Sequence, residues 1–187
     1  MRIVILPDAG QVAIFVADAL VEAIQCKPDL TLGLATGSTP VAMYRELAQR
    51  YESNLVSFSR VVTFDLDEYV GLAPTHPQSY RYFMDRHLFD HIDIDKGNTF
   101  VPQAYSRNAK MLNQAARDFE AKISEKGGID IQILGIGENG HIGFNEPTSS
   151  LTSRTRIKTL TESTFVATQR FFCESEYQPR LALTMGI

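Results

Sequence analysis

The chain has 187 residues, 44% of them apolar, and its 18 Lys and Arg stand against 22 Asp and Glu for a net charge of −4. That length and apolar share suit one globular domain, residues 1–187, and the weak negative balance supplies no basic field for nucleic acid. Two cysteines, Cys26 and Cys173, lack C-x-x-C spacing, which argues against a disulfide framework or a zinc site and favours two reduced structural thiols.

Met1-Arg-Ile-Val-Ile-Leu-Pro7 is too short for a signal peptide, and no apolar run approaches membrane-spanning length, so the chain reads as cytoplasmic. Arg2 to Leu6 is a strand candidate. Asp8 can cap a helix whose apolar positions Val12, Phe15, Val16, Ala19, Leu20, Ala23 and Ile24 recur at helical spacing, ended by Lys27-Pro28. A second strand, Leu30 to Ala35, runs into Thr36-Gly-Ser-Thr-Pro40. There Ser38 or Thr39 is the expected N-cap and Pro40 the first residue of a helix marked by Val41, Tyr44, Leu47, Ala48 and Tyr51.

Arg60 to Phe64 predicts a third strand, leading into a loop at Asp65-Leu-Asp-Glu-Tyr69. Tyr80 to Phe89 and Asn108 to Lys126 predict helices, the latter stopped by Gly127-Gly128. Ile129 to Leu134 predicts a fourth strand feeding a glycine-dense loop, and Leu181 to Met185 a last one. The alternation implies an α/β fold: three layers, doubly wound, a mostly parallel sheet with helices on both faces, Rossmann-like. Such a sheet binds ligands beyond the carboxyl ends of its strands, where Thr36 to Pro40, Asp65 to Tyr69 and Gly135 to Glu146 can converge.

Gly135, Gly137, Gly140 and Gly143 crowd the loop that carries His141. A histidine oriented by a carboxylate is an economical acid/base at neutral pH, and Glu146 is near enough in sequence to orient this one. Gly135-x-Gly-x-x-Gly140 matches the dinucleotide fingerprint, but no helix pattern follows it. Asp65, Asp67 and Glu68 lie within four residues; repulsion or desolvation among them raises at least one pKa, which suits a proton shuttle, whereas a magnesium site lacks identifiable further ligands. Thr36 to Pro40 offers hydroxyls and free helix amides to an anion such as a sugar phosphate, or is simply a capping turn. The basic stretch Ser153-Arg-Thr-Arg-Ile-Lys158, with Arg170 beyond it, can complete an anion site.

Several blocks in order resemble the glucosamine-6-phosphate deaminase family. They are Leu32-Gly-Leu-Ala-Thr-Gly-Ser-Thr-Pro40, Val61-Val-Thr-Phe-Asp-Leu-Asp-Glu-Tyr-Val-Gly71, His76-Pro-x-Ser-Tyr80, Gly140-His-Ile-Gly-Phe-Asn-Glu-Pro147, and Ser149-Ser-Leu-x-Ser-Arg-Thr-Arg-Ile-Lys-Thr-Leu160. The resemblance implies conversion of glucosamine 6-phosphate to fructose 6-phosphate and ammonia without metal or organic cofactor. It implies Asp67 as the base between C2 and C1 and His141 as the ring-opening acid/base held by Glu146, with Asn139 where some members carry an aspartate. It also implies that Gly37, Ser38, Thr39 and Arg170 hold the 6-phosphate. Members of the family continue past the Leu181 strand and contribute a phosphate-contacting lysine there, so residues 1–187 are expected to be a catalytic domain short of its C-terminal part. Ser149, Arg156, Lys158 and Thr159 match an effector site found in some members, but unregulated members share them. The family includes monomers and hexamers, which admits a homo-oligomer. The competing readings are a 6-phosphogluconolactonase-like hydrolase and a sugar-phosphate-binding regulatory module without catalysis.

Overall fold

The computed structural model describes residues 1–172 and 177–186; Cys173 therefore lies outside the described residues. Asp8 opens the first ordered element: its carboxylate accepts the Gln11 N–H at 2.8 Å, and α1 (Ala9–Cys26) runs from this cap to Lys27. Arg2 to Leu6, expected as a strand, forms none. An apolar run becomes a strand only where a neighbouring edge offers hydrogen-bond partners, and no described strand lies beside it, so Ile3 and Ile5 stand exposed.

α1 turns inward much of its expected face, with Leu20 and Ile24 buried and Val16 and Ala23 packed against the core, but rotated from the expected one. Ala13, Ala17, Leu20, Val21 and Ile24 are buried, while Val12 and Phe15 are exposed. With 18 residues and a mean hydropathy of 1.4, the helix is long and apolar enough by composition to cross a membrane, which corrects the sequence expectation. Here its buried face packs into the main core.

Then follow β1 (Thr31–Leu34), α2 (Val41–Glu52), β2 (Val62–Asp65), β3 (Asp67–Tyr69), α3 (Tyr80–His87) and β4 (Thr99–Phe100). After these come α4 (Ala109–Glu125), β5 (Ile131–Gln132), β6 (Arg156–Thr159), α5 (Glu162–Gln169) and β7 (Leu181–Thr184). The first sheet is parallel throughout, in the order β4-β2-β1-β5. Strand side chains alternate between its faces: Leu32 and Leu34 meet α1 and α2, whereas Val62 and Phe64 meet Phe119 of α4. Helices thus cover both faces, as expected. Gly127 and Gly128 end α4 with positive φ, and the Gly128 N–H returns to the Ile123 carbonyl at 2.9 Å.

The second sheet was not foreseen. β3, β7 and β6 form an antiparallel sheet in the order β3-β7-β6, with Asp67 opposite Thr184. The stretch expected as an acidic loop is instead two strands joined at Leu66. The Leu66 N–H donates to Leu34 at 3.1 Å and its carbonyl accepts the Met185 N–H at 2.8 Å, so one residue ties the sheets together. Asp65 closes one sheet and Asp67 opens the other.

Candidate active site

Beyond the carboxyl ends of β1, β2 and β5 lies a cleft of about 440 Å³, and Thr36, Thr39, Asp67, Tyr80, Gly137 and His141 are among the residues that line it. The three stretches expected to converge do so. Asp67 reaches the cleft because β2 continues through Leu66 into β3. It is 5% exposed, and burial, followed by the neighbouring Glu68, pushes its carboxyl up to about 7 although the Phe144 N–H and Thr184 hydroxyl pull the other way. A proton-transfer group poised there accepts and returns protons with little driving-force penalty near neutral pH.

Of the other two carboxylates, Glu68 does structural work. Glu68 accepts the N–H groups of Tyr69, Tyr80 and Arg81 at 2.8, 2.9 and 3.0 Å, which anchors the start of α3 and places Tyr80 over the cleft. Its ring lies parallel to that of Phe144, with centroids 6.0 Å apart. Asp65 is fully buried, neither of its oxygens has a hydrogen-bond partner, and burial drives its pKa well up. Burial without a partner disfavours the charged form of this carboxyl.

His141 is set by its loop. The Gly137 N–H donates to the His141 carbonyl at 2.9 Å, and a Cβ on Gly137 would collide with the imidazole, so only glycine lets the ring lie there. Asn139 Oδ1 accepts both the His141 backbone N–H (3.1 Å) and Nδ1 (2.6 Å). The backbone donor fixes which end of the amide is oxygen. Nδ1 must therefore carry the proton, leaving Nε2 as the basic nitrogen. Asn139 Nδ2 in turn donates to Glu146 Oε2 at 3.0 Å, and that oxygen lies 4.0 Å from Nδ1. Glu146 is buried, which alone would raise its pKa, but the Thr164 and Thr161 hydroxyls, the Thr161 N–H and Asn139 hold it below the ordinary range. It is an ionised anchor, reached through the amide rather than directly.

In the turn before α2, neither expected cap forms. Pro40 occupies the N-cap position with helical angles and no side-chain hydrogen bond, so the Ser38 and Thr39 hydroxyls are not consumed by capping. Gly37 takes φ +104°, and a helix N-terminus with free hydroxyls beside a cleft can receive an anion. Thr39 lines the cleft directly; Gly37 and Ser38 sit in the same turn. Arg170 is not brought in. It caps the C-terminus of α5, exposed, with its guanidinium over Phe171.

The sequence pattern of the family described as glucosamine-6-phosphate isomerases/6-phosphogluconolactonase matches residues 9–185. The chain belongs to this family. Within the glucosamine-6-phosphate isomerase/6-phosphogluconolactonase family it is 59% identical to a glucosamine-6-phosphate deaminase of Marinomonas sp. strain MWYL1, with all of this chain and 70% of that protein covered. It is 46% identical to one of Thermoanaerobacter sp. strain X514, covering all of this chain and 73% of the relative. Among solved structures, a monomeric glucosamine-6-phosphate deaminase superposes at a TM-score of 0.95 and 40% identity, over all of this chain and 76% of that one. The 6-phosphogluconolactonase of Thermotoga maritima (TM-score 0.70, 20% identity, 97% of this chain and 75% of that one) shares the fold.

Sequence reasoning had passed over three residues the geometry brings forward. Tyr80 sat at the end of a motif without a role. Gly137 was one glycine among four. Thr161 carried the usual signal of an N-cap, a threonine directly before an acidic residue, but its reach to Glu146 is visible only in three dimensions.

Proposed function

We propose that the cleft carries out the isomerising deamination of glucosamine 6-phosphate to fructose 6-phosphate and ammonia, in amino-sugar catabolism in the cytoplasm. The observation that carries this reading is that Asp67 and His141, from separate elements, face one cleft, the first poised near pH 7 and the second fixed with Nε2 basic. Nε2 takes the proton of the anomeric hydroxyl as the ring opens, and the ring oxygen receives it. Asp67 then removes the proton from C2 and delivers it to C1. As it does so the amine gives up one proton and O1 gains one, so that C2 becomes an imine and C1 an alcohol, and water hydrolyses the imine to the ketose and ammonia. His141 and Asp67 relay protons that the substrate itself carries, and the reading invokes neither metal nor organic cofactor.

The free hydroxyls and helix amides at Gly37, Ser38 and Thr39 hold the 6-phosphate; Arg170 joins them only if α5 moves toward the cleft. Residues 1–187 act as one catalytic domain in this reading.

The test follows ammonia and fructose 6-phosphate together from glucosamine 6-phosphate. Equimolar appearance supports the reading, and loss of turnover in Asp67→Asn with retained ligand-induced stabilisation assigns the base. Hydrolysis of 6-phosphogluconolactone without ammonia release would overturn it.

A further inference from the structure

Thr161 is bonded both to the ring-opening pair and to α5. Its N–H donates to Glu146 Oε1 at 3.1 Å and its hydroxyl to Glu146 Oε2 at 3.1 Å, so the two oxygens of one carboxylate are held by one residue. A hydroxyl has a single proton. The Thr164 hydroxyl also lies within reach, at 3.2 Å, but the ionised Glu146 is the stronger acceptor and takes it. The Thr161 oxygen is then left to accept the Thr164 N–H at 3.4 Å, which caps α5. Asn139 Nδ2 approaches the same hydroxyl at 3.5 Å and Ser163 at 3.3 Å, so the amide lies in a shell of acceptors that leaves its carbonyl toward His141.

We infer that Thr161 is a positioning residue for ring opening: its hydroxyl locks Glu146, Glu146 locks the Asn139 amide, and the amide holds Nδ1–H on the imidazole. This rests on the deaminase reading of the cleft. Thr161 is also the residue that caps the N-terminus of α5. The other charged group at this end of α5 is Glu162, paired with Arg180 at 3.2 Å; across the cleft stands Asp67.

The experiment compares Thr161→Val, Thr161→Ser and Thr161→Asp in the full chain. Valine removes the hydroxyl but keeps the N–H, and kcat is expected to fall about ten-fold, the loss of one hydrogen bond to a charged group, with KM within two-fold. Serine restores kcat. Aspartate caps a helix as well as threonine does but sets a carboxylate against Glu146, so it loses at least as much kcat as valine although the cap is kept. The second readout needs no turnover: the 15N shifts of the His141 ring report its tautomer, Nδ1–H in the parent and a mixture in the valine and aspartate variants. Parent-like kcat together with a parent-like tautomer in Thr161→Asp overturns the inference. If the parent chain yields no fructose 6-phosphate, the functional reading fails, and the ring tautomer still decides the role of Thr161.

Discussion

Asp67 shows how far burial governs a residue's chemistry. Its native pKa near 7 lies above the ordinary 3.8, so between these values the folded state holds more proton than the unfolded state, and stability falls as pH rises through that window. Asp67→Asn removes the buried charge. At pH 8 it should stabilise the chain by about 2 kcal/mol, a rise in melting temperature of roughly 4–8 °C, with little gain at pH 4; calorimetry at both values checks this. The same titration sets activity: as a base Asp67 must be ionised, so kcat/KM should drop about tenfold per pH unit below pH 7. Gly137→Ala addresses the other half of the site. Its Cβ would displace the imidazole, so turnover should fall by at least about 100-fold, the contribution of one general acid–base group. Substrate-induced stabilisation should survive, because the turn at Gly37 to Thr39 is untouched.

At the level of elements, the junction of β3 and α3 rests on Glu68. One buried carboxylate satisfies three backbone N–H groups that would otherwise be stranded at a strand end and a helix start. Glu68→Ala should cost about 3 kcal/mol in urea denaturation and loosen Tyr80 over the cleft. α4 needs no such help: Asn108 accepts the Lys110 and Met111 N–H groups, and two glycines close the other end. Its start and stop were therefore legible in the sequence, because capping is a local interaction. The strand expected at Arg2 to Leu6 was not, since its partners would have to come from elsewhere. The inward face of α1 was legible at Val16, Leu20, Ala23 and Ile24 but not at its edge: Val12 and Phe15 fit the helical period as well as Ala13 and Ala17 do, and only the neighbouring helix, α2, decides how far round the covered side extends.

For the whole molecule, the parallel sheet ends at β5, whose outer edge has no described partner, and Ile3, Ile5, Phe15, Leu134 and Ile136 are exposed. Open edges and apolar surface of this kind associate. The 187-residue chain should sediment as larger species as concentration rises, and Ile5→Lys with Ile136→Lys should shift it toward a single small species; identical profiles would contradict this. From residues alone came the alternation of α1, β1, α2, β2, α3, α4, β5 and β7 and the three loops that converge on the cleft, and from motif blocks the choice of Asp67, His141, Glu146 and Asn139 as candidates, because hydrophobic period, capping residues and motif blocks are written locally. Tertiary structure decided the rest. The antiparallel sheet depends on β7 returning to pair with β3, a contact across more than half the chain. The pKa of Asp67 depends on what buries it, and the tautomer of His141 on an amide held at both ends, its oxygen by the His141 backbone N–H and its nitrogen by Glu146. Arg170, named by motif, lies outside the cleft because the position of a helix, unlike its start and stop, is set by what packs against it.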